Sequence, residues 1–340
     1  MNKVNIIIIL LICSQFLNTG EVNAGEVNVY SARKEALIKP ILDKFTEDTG
    51  IEVNLITGKA DTFIKRIEVE GKNSPADLLL TVDAARLVRA KDKGLFQATN
   101  SKILNKAIPV HLRDIDNQWY GLSLRSRVIV YNPNKVRANE LINYIDLASK
   151  KWKSRICVRS SSNIYNQSLV ASIISHHGIE QAEIWASGLV GNFARAPKGG
   201  DRDQIKAVAV GVCDVAIVNN YYLAGMLDSS QEKEITAAKK VKLFWPDQRG
   251  NGAHVNISGA GVLTHAKNKD EAILLLEYLV SDKAQRWYSD INYEYPVITN
   301  VYDHSVLKEW GIFKMDNLAL SLLGKYNTDA VKLMDRIGWK

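Results

Sequence analysis

From Gly25 onward, short β-branched runs and amphipathic helical stretches take turns, which restricts the chain to sheets whose strands are joined by crossover helices. Val27–Tyr30 predicts a strand. Glu35–Asp48 predicts a helix, with Leu37, Ile38, Ile41, Leu42 and Phe45 on one face and Gly50 as its stop. Val53–Ile56 is the next strand, Asp61–Glu70 a helix, Asp77–Thr81 a strand entered from Pro75, and Ala84–Lys91 a helix closed by Gly94. This βαβαβα order implies a largely parallel sheet with helices on both faces, and such sheets bind ligands beyond the carboxyl ends of their strands.

The rhythm resumes with a strand at Val128–Tyr131, a short helix at Leu141–Lys150, a strand at Ile156–Arg159 and a helix at Ser168–His176 behind the cap-rich Ser160-Ser161-Ser162-Asn163. A helix at Asp203–Val210, a strand at Val215–Val218 and a helix from Tyr222 follow. Leu243-Phe244 begins a return segment, Ile257–Leu263 is a Gly-rich strand, Glu271–Val280 is an apolar helix, and the C-terminal stretch is helical and amphipathic. The length of 340 residues suits two domains, and no repeat or low-complexity linker separates them. Two compact α/β lobes joined by crossing segments are therefore expected.

Ahead of Gly25, Lys3, the apolar run Ile6–Ile12 and the small-residue ending Val22-Asn23-Ala24 read as a cleavable signal peptide over residues 1–24. The run is far short of the ~20 apolar residues that span a bilayer, so a secreted soluble protein is expected. Ile12 before Cys13 is too bulky for a lipoprotein cleavage site. Cys157 and Cys213 remain beyond the signal; they read either as a disulfide between neighbouring strands or as two small buried hydrophobes. Lys plus Arg number 44 against 37 Asp plus Glu, a formal +7, but the basic residues are scattered among acids without interleaved aromatics, so no nucleic-acid partner is expected.

No Gly-x-Ser-x-Gly, His-Glu-x-x-His or phosphate-loop pattern is present, and Gly259-Ala260-Gly261 lacks the rest of a dinucleotide fingerprint. Adjacent His176 and His177 point about 100° apart on a helix and do not grip one ion; they read as a solvated helix end before Gly178. The unusual residues are phenolic. Tyr221-Tyr222 follows a strand at the start of a helix, and Tyr165 has the same position after the preceding strand, where an open α/β sheet presents ligand contacts. Taken alone, these read more readily as ordinary amphipathic aromatics near helix starts.

Further motifs accompany them in order: Val29-Tyr30-Ser31-Ala32-Arg33, Asn73-Ser74-Pro75-Ala76-Asp77, Gln118-Trp119-Tyr120-Gly121-Leu122, Arg125-Ser126-Arg127, Tyr165-Asn166-Gln167-Ser168, Gly199-Gly200-Asp201-Arg202-Asp203-Gln204 and Asn219-Asn220-Tyr221-Tyr222. With these the chain from Val27 onward resembles the periplasmic ferric-iron-binding proteins, the soluble receptors of bacterial iron ABC importers. The resemblance implies a two-lobed periplasmic-binding-protein (Venus flytrap) fold, with α/β lobes closing on ligand about a hinge. The expected division is residues 25–125 plus 248–298 in the first lobe and 126–247 plus 299–340 in the second. It also implies Tyr165, Tyr221 and Tyr222 as iron ligands, Arg33 and Arg125 as holders of a synergistic anion, and an inner-membrane ABC permease with its ATPase as partner to a periplasmic, non-catalytic monomer.

Chemistry agrees with that implication. Fe(III) binds a phenol only as phenolate, and its charge makes the phenolate accessible. Three phenolates balance three positive charges, leaving room for a chelating dianion, with carbonate expected, and one water. Guanidinium forks suit such an anion better than lysine does. Some relatives place a His, or His then Tyr, after the first strand, whereas this chain has Ser31-Ala32-Arg33-Lys34-Glu35, so the first lobe is expected to hold the anion more than the metal. Tyr30 and Asp83 are candidate extra ligands, set against a core-packed strand-end tyrosine and a helix-capping aspartate. The alternative function is a receptor for a small organic solute stacked on Tyr221 and Tyr222.

Overall fold

The computed structural model describes residues 25–298 and 304–340; the expected signal peptide lies outside them, as do residues 299–303 of the expected second lobe. The strands are β1 (Glu26–Ser31), β2 (Glu52–Thr57), β3 (Leu78–Val82), β4 (Tyr120–Tyr131), β5 (Ile156–Cys157), β6 (Val215–Asn219), β7 (Lys242–Phe244), β8 (Val255–Val262) and β9 (Tyr295–Pro296). Their spatial order is β2-β1-β3-β8-β4-β6-β5, with β7 and β9 also paired to β4. The parallel expectation holds for β2-β1-β3 and for β5-β6. It fails in the middle, where β8 and β4 run antiparallel to their neighbours, because the chain returns there as single crossing strands instead of through βαβ units.

β4 takes part in two sheets. Residues Tyr120–Ser126 pair with β8, and Arg127–Tyr131 pair with β6 and β7, so the strand changes sheet between Ser126 and Arg127. Residues 245–254 carry the chain back. Buried Tyr144 ties the two crossings together: its Oη donates to the carbonyl of Arg127 and accepts from the amide of His254 at 3.0 Å. Close packing of β8 on β4 requires glycine, since a β-carbon on Gly259 or Gly261 would sit 2.5 and 2.4 Å from the carbonyl oxygens of Tyr120 and Gln118.

Both faces of the second sheet are covered, which explains its unbroken apolar runs. Val128, Val130, Ala216 and Val218 face a core with Ile205, Val208 and Leu223, while Ile129, Tyr131, Val215 and Ile217 face the larger core of the molecule. The helix Lys39–Thr49 begins only after a 3₁₀ turn at Glu35–Leu37, with Pro40 in its first turn and Gly50 at φ 75° as its cap. The expected helix at Leu141–Lys150 is instead a set of 3₁₀ turns, Ala138–Glu140, Ile145–Ala148 and Lys150–Trp152. The helix expected at Ser168–His176 runs Ile164–Gly191, with a kink where Gly178 takes φ 80°. His176 is not a solvated end: its Nε2 lies 2.8 Å from Asp316. Among the described residues no helix is long and apolar enough to cross a membrane.

Candidate metal and anion site

The carboxyl ends of parallel β5 and β6 deliver the phenols to one place. Tyr165 is in the first turn of Ile164–Gly191, where Asn163 accepts the Tyr165 amide at 3.1 Å and caps the helix. Tyr221 and Tyr222 occupy the first turn of the helix Asn220–Leu227, directly after β6. Tyr221 Oη donates to Tyr165 Oη at 3.3 Å and receives Asn219 Nδ2 at 3.4 Å, and the Tyr221 and Tyr222 rings lie 4.3 Å apart. All three line a cavity of about 480 Å³, to which Arg33, Lys34, Arg202, Tyr293 and Glu294 also contribute.

Tyr221 and Tyr222 are held neutral. Burial pushes Tyr221 well above its ordinary value, neighbouring Tyr165 and Tyr222 add to the rise, and Arg125 opposes it. Burial also raises Tyr222 to about 12, with Tyr165 and Asp201 reinforcing it. Each phenolate makes the next harder to form, so a ligand that ionises the set must carry several positive charges.

Cations back the phenols. The Arg125 guanidinium lies 5.0 Å from the Tyr165 ring centroid and that of Arg159 lies 5.7 Å away. Arg33 extends from the end of β1, 5% exposed, and its Nη1 donates to Ser258 Oγ at 2.6 Å and to Glu294 Oε2 at 2.9 Å. Burial works against its charge, but Glu294, Tyr288 and Tyr221 together outweigh burial and its pKa is raised. Arg33 Nε and Arg125 Nη2 are buried without a hydrogen-bond partner. Such donors suit an incoming oxyanion, since an unmade buried bond costs about 1–3 kcal/mol.

Tyr30 sits elsewhere, whereas Asp83 lies behind the site, its Oδ2 3.7 Å from Arg125 Nη2. Tyr30 is 1% exposed and stacks on Phe63 at 4.9 Å, away from the cavity wall. Asp83 caps the helix Ala84–Asp92 through the Ala85 amide, and its carboxylate also accepts Ser168 Oγ at 2.7 Å and Asn256 Nδ2 at 2.9 Å. Cys157 and Cys213 form a disulfide with Cα atoms 5.8 Å apart, which settles their two readings. Sequence reasoning missed Glu294 and Tyr293. The only signal was the run Asn292-Tyr293-Glu294-Tyr295-Pro296 after a helix, which nothing in its local pattern links to Arg33.

Among the described residues no group of three or more His, Cys, Asp and Glu side chains could hold a metal ion. Residues 73–315 match the family described as bacterial extracellular solute-binding protein. The chain is 47% identical over 315 residues to iron uptake protein A1 of Synechocystis, covering 93% of this chain and 88% of that one. It is 28% identical over 321 residues to the major ferric iron-binding protein of Neisseria meningitidis, covering 93% and 94%. Among solved structures, a Trichodesmium protein in complex with iron and citrate superposes with a TM-score of 0.90 at 53% identity, covering 93% of this chain and all of that one. A Campylobacter jejuni ferric binding protein gives 0.87 at 38%, covering 92% of this chain and all of that one. With its two-lobed α/β fold, the chain belongs to the bacterial extracellular solute-binding proteins, in the branch that holds the iron uptake and ferric iron-binding proteins.

Proposed function

We propose that the protein captures Fe(III) as cargo in the cleft between its lobes and hands it to an inner-membrane ABC permease, without catalysis. The phenolates of Tyr165, Tyr221 and Tyr222 bind the metal, and Arg33 and Arg125 hold an accompanying anion, carbonate in the first instance. The observation that carries this reading is the meeting of three phenols beside buried guanidinium groups whose Arg33 Nε and Arg125 Nη2 make no hydrogen bond. Three phenolates balance the three charges of the metal, and the two guanidinium groups face the charge of the anion. Similarity to an iron uptake protein and to a structure solved with iron and citrate supports the same reading. The remaining parts are a cleaved signal over residues 1–24, a periplasmic monomer, and lobes of residues 25–125 plus 248–298 and 126–247 plus 299–340. The change of sheet within β4 between Ser126 and Arg127 supports that division.

The test is optical. Protein loaded with ferric citrate is expected to develop a visible phenolate-to-iron band, and Tyr221→Phe with Tyr222→Phe is expected to abolish it. A colourless protein with no measurable Fe(III) affinity, or one that binds an organic solute without metal and tolerates both substitutions, would overturn the proposal.

A further inference from the structure

One residue of the first lobe reaches across the cleft. Tyr293 follows the helix Asp282–Asn292, which packs on β4 and β9, and its backbone takes a left-handed φ of 56°. That conformation is uncommon for a residue other than glycine and here caps the helix, the Tyr293 amide donating to the Ser289 carbonyl at 3.2 Å. Its side-chain and carbonyl contacts come from the second lobe. Tyr293 Oη donates to Asp228 Oδ2 at 2.8 Å, and its carbonyl accepts Asn220 Nδ2 at 3.3 Å. These residues stand at the two ends of the helix Asn220–Leu227, whose first turn carries Tyr221 and Tyr222. The Tyr293 ring lies over Gly225, where a β-carbon would come within 3.2 Å of it. His304 packs edge-on against the ring, with centroids 4.9 Å apart. Glu294, the next residue, holds Arg33.

We propose that Tyr293 is a positioning residue, a latch that holds the cleft shut by clasping the helix of Tyr221 and Tyr222 to the first lobe. Its left-handed backbone aims the ring across the cleft, Gly225 gives the ring its seat, and Asp228 fixes the hydroxyl. The role in retaining iron rests on the function proposed above; the role in closing the cleft does not.

Small-angle scattering of the metal-free protein tests the closure directly. Tyr293→Phe and Asp228→Ala are each expected to raise the radius of gyration through a larger open population, with no further rise when combined. Asp228→Asn is expected to behave as the unaltered chain, because its amide oxygen still accepts the hydroxyl. Scattering curves of the first two variants that superimpose on that of the unaltered chain would overturn the latch, whether or not the protein binds iron. In iron-loaded protein, both variants are expected to release metal to an excess of ferric chelator roughly three- to ten-fold faster, with the absorption band unmoved because the three ligating phenols are intact. Unchanged release beside altered scattering would overturn the role in retention, and a colourless unaltered chain would overturn the iron reading alone.

Discussion

Two arginines near the cleft, Arg125 and Arg127, stand two apart on β4 and do different work. Arg125 keeps Nη2 without a hydrogen-bond partner beside the phenols. Arg127, 2% exposed, spends its donors inside the second lobe: Nη1 on Asp201 at 3.3 Å and Asn219 at 3.2 Å, Nη2 on Asn166 at 2.7 Å and the carbonyl of Ile217 at 3.1 Å. It binds together the strands and helix starts that present Tyr165 and Tyr221. Removing one partner of a buried pair strands the other charge, at a cost of about 3–5 kcal/mol. Arg127→Met is therefore expected to lower the urea unfolding free energy by about that amount, and adding Asp201→Leu to restore part of it. A loss under ~1 kcal/mol in the single variant would mean that Arg159, whose Nη1 lies 3.8 Å from Asp201, carries the pairing by itself.

At the scale of elements, the crossing segments carry a titratable group in an unusual state. His254 enters β8 with 3% exposure, and burial, reinforced by Arg127, Arg125 and His176, lowers its pKa to about 3. It folds neutral, while the unfolded chain's histidine ionises near 6.5. The folded value is depressed, so the stabilisation is complete above about pH 6.5 and drains as pH falls toward the folded value. Between about pH 7 and 4.5 this one group is expected to cost roughly 2–3 kcal/mol. Unfolding midpoints measured at both pH values should show a shallower slope in His254→Gln; equal slopes would place the sensitivity in other groups. The same segments explain what was legible beforehand. Val215–Val218 reads as a strand because both its faces meet apolar cores. Residues Tyr120–Ser126 of β4 do not, because Ser123 and Arg125 are buried against polar partners, Glu294 and Ser258, that lie far along the chain. The tyrosines could be found from their strand-to-helix junctions. Tyr293 and Glu294 could not, since their meaning depends on where a distant return segment lands.

For the whole molecule, net charge was a poor guide to the ligand. The formal +7, which the proposed cleavage of residues 1–24 with Lys3 and Glu21 would leave unchanged, has a sign that repels a trivalent cation at long range. Binding must be local, and the local chemistry fixes its dependence on pH. In the metal-free cleft Tyr222 ionises only near 12 and burial holds Tyr221 well above its ordinary value, so under the proposed ligation each of these phenols gives up one proton to iron at neutral pH. Metal binding that releases protons weakens as protons become plentiful. Each displaced proton contributes one logarithmic unit of affinity per pH unit, so a three-phenolate site sets a slope approaching about 3, and a carbonate that is itself protonated steepens it. Competition titrations at about pH 7.5 and 6, corrected for the competitor's own protonation, are expected to give a slope of at least ~2, and less in Tyr222→Phe by about one. A flat profile would remove tyrosinate from the site. A steep one would give the clamp a means of unloading that needs no chemistry of its own, because acidity and the opening of the cleft act on the same helix, Asn220–Leu227.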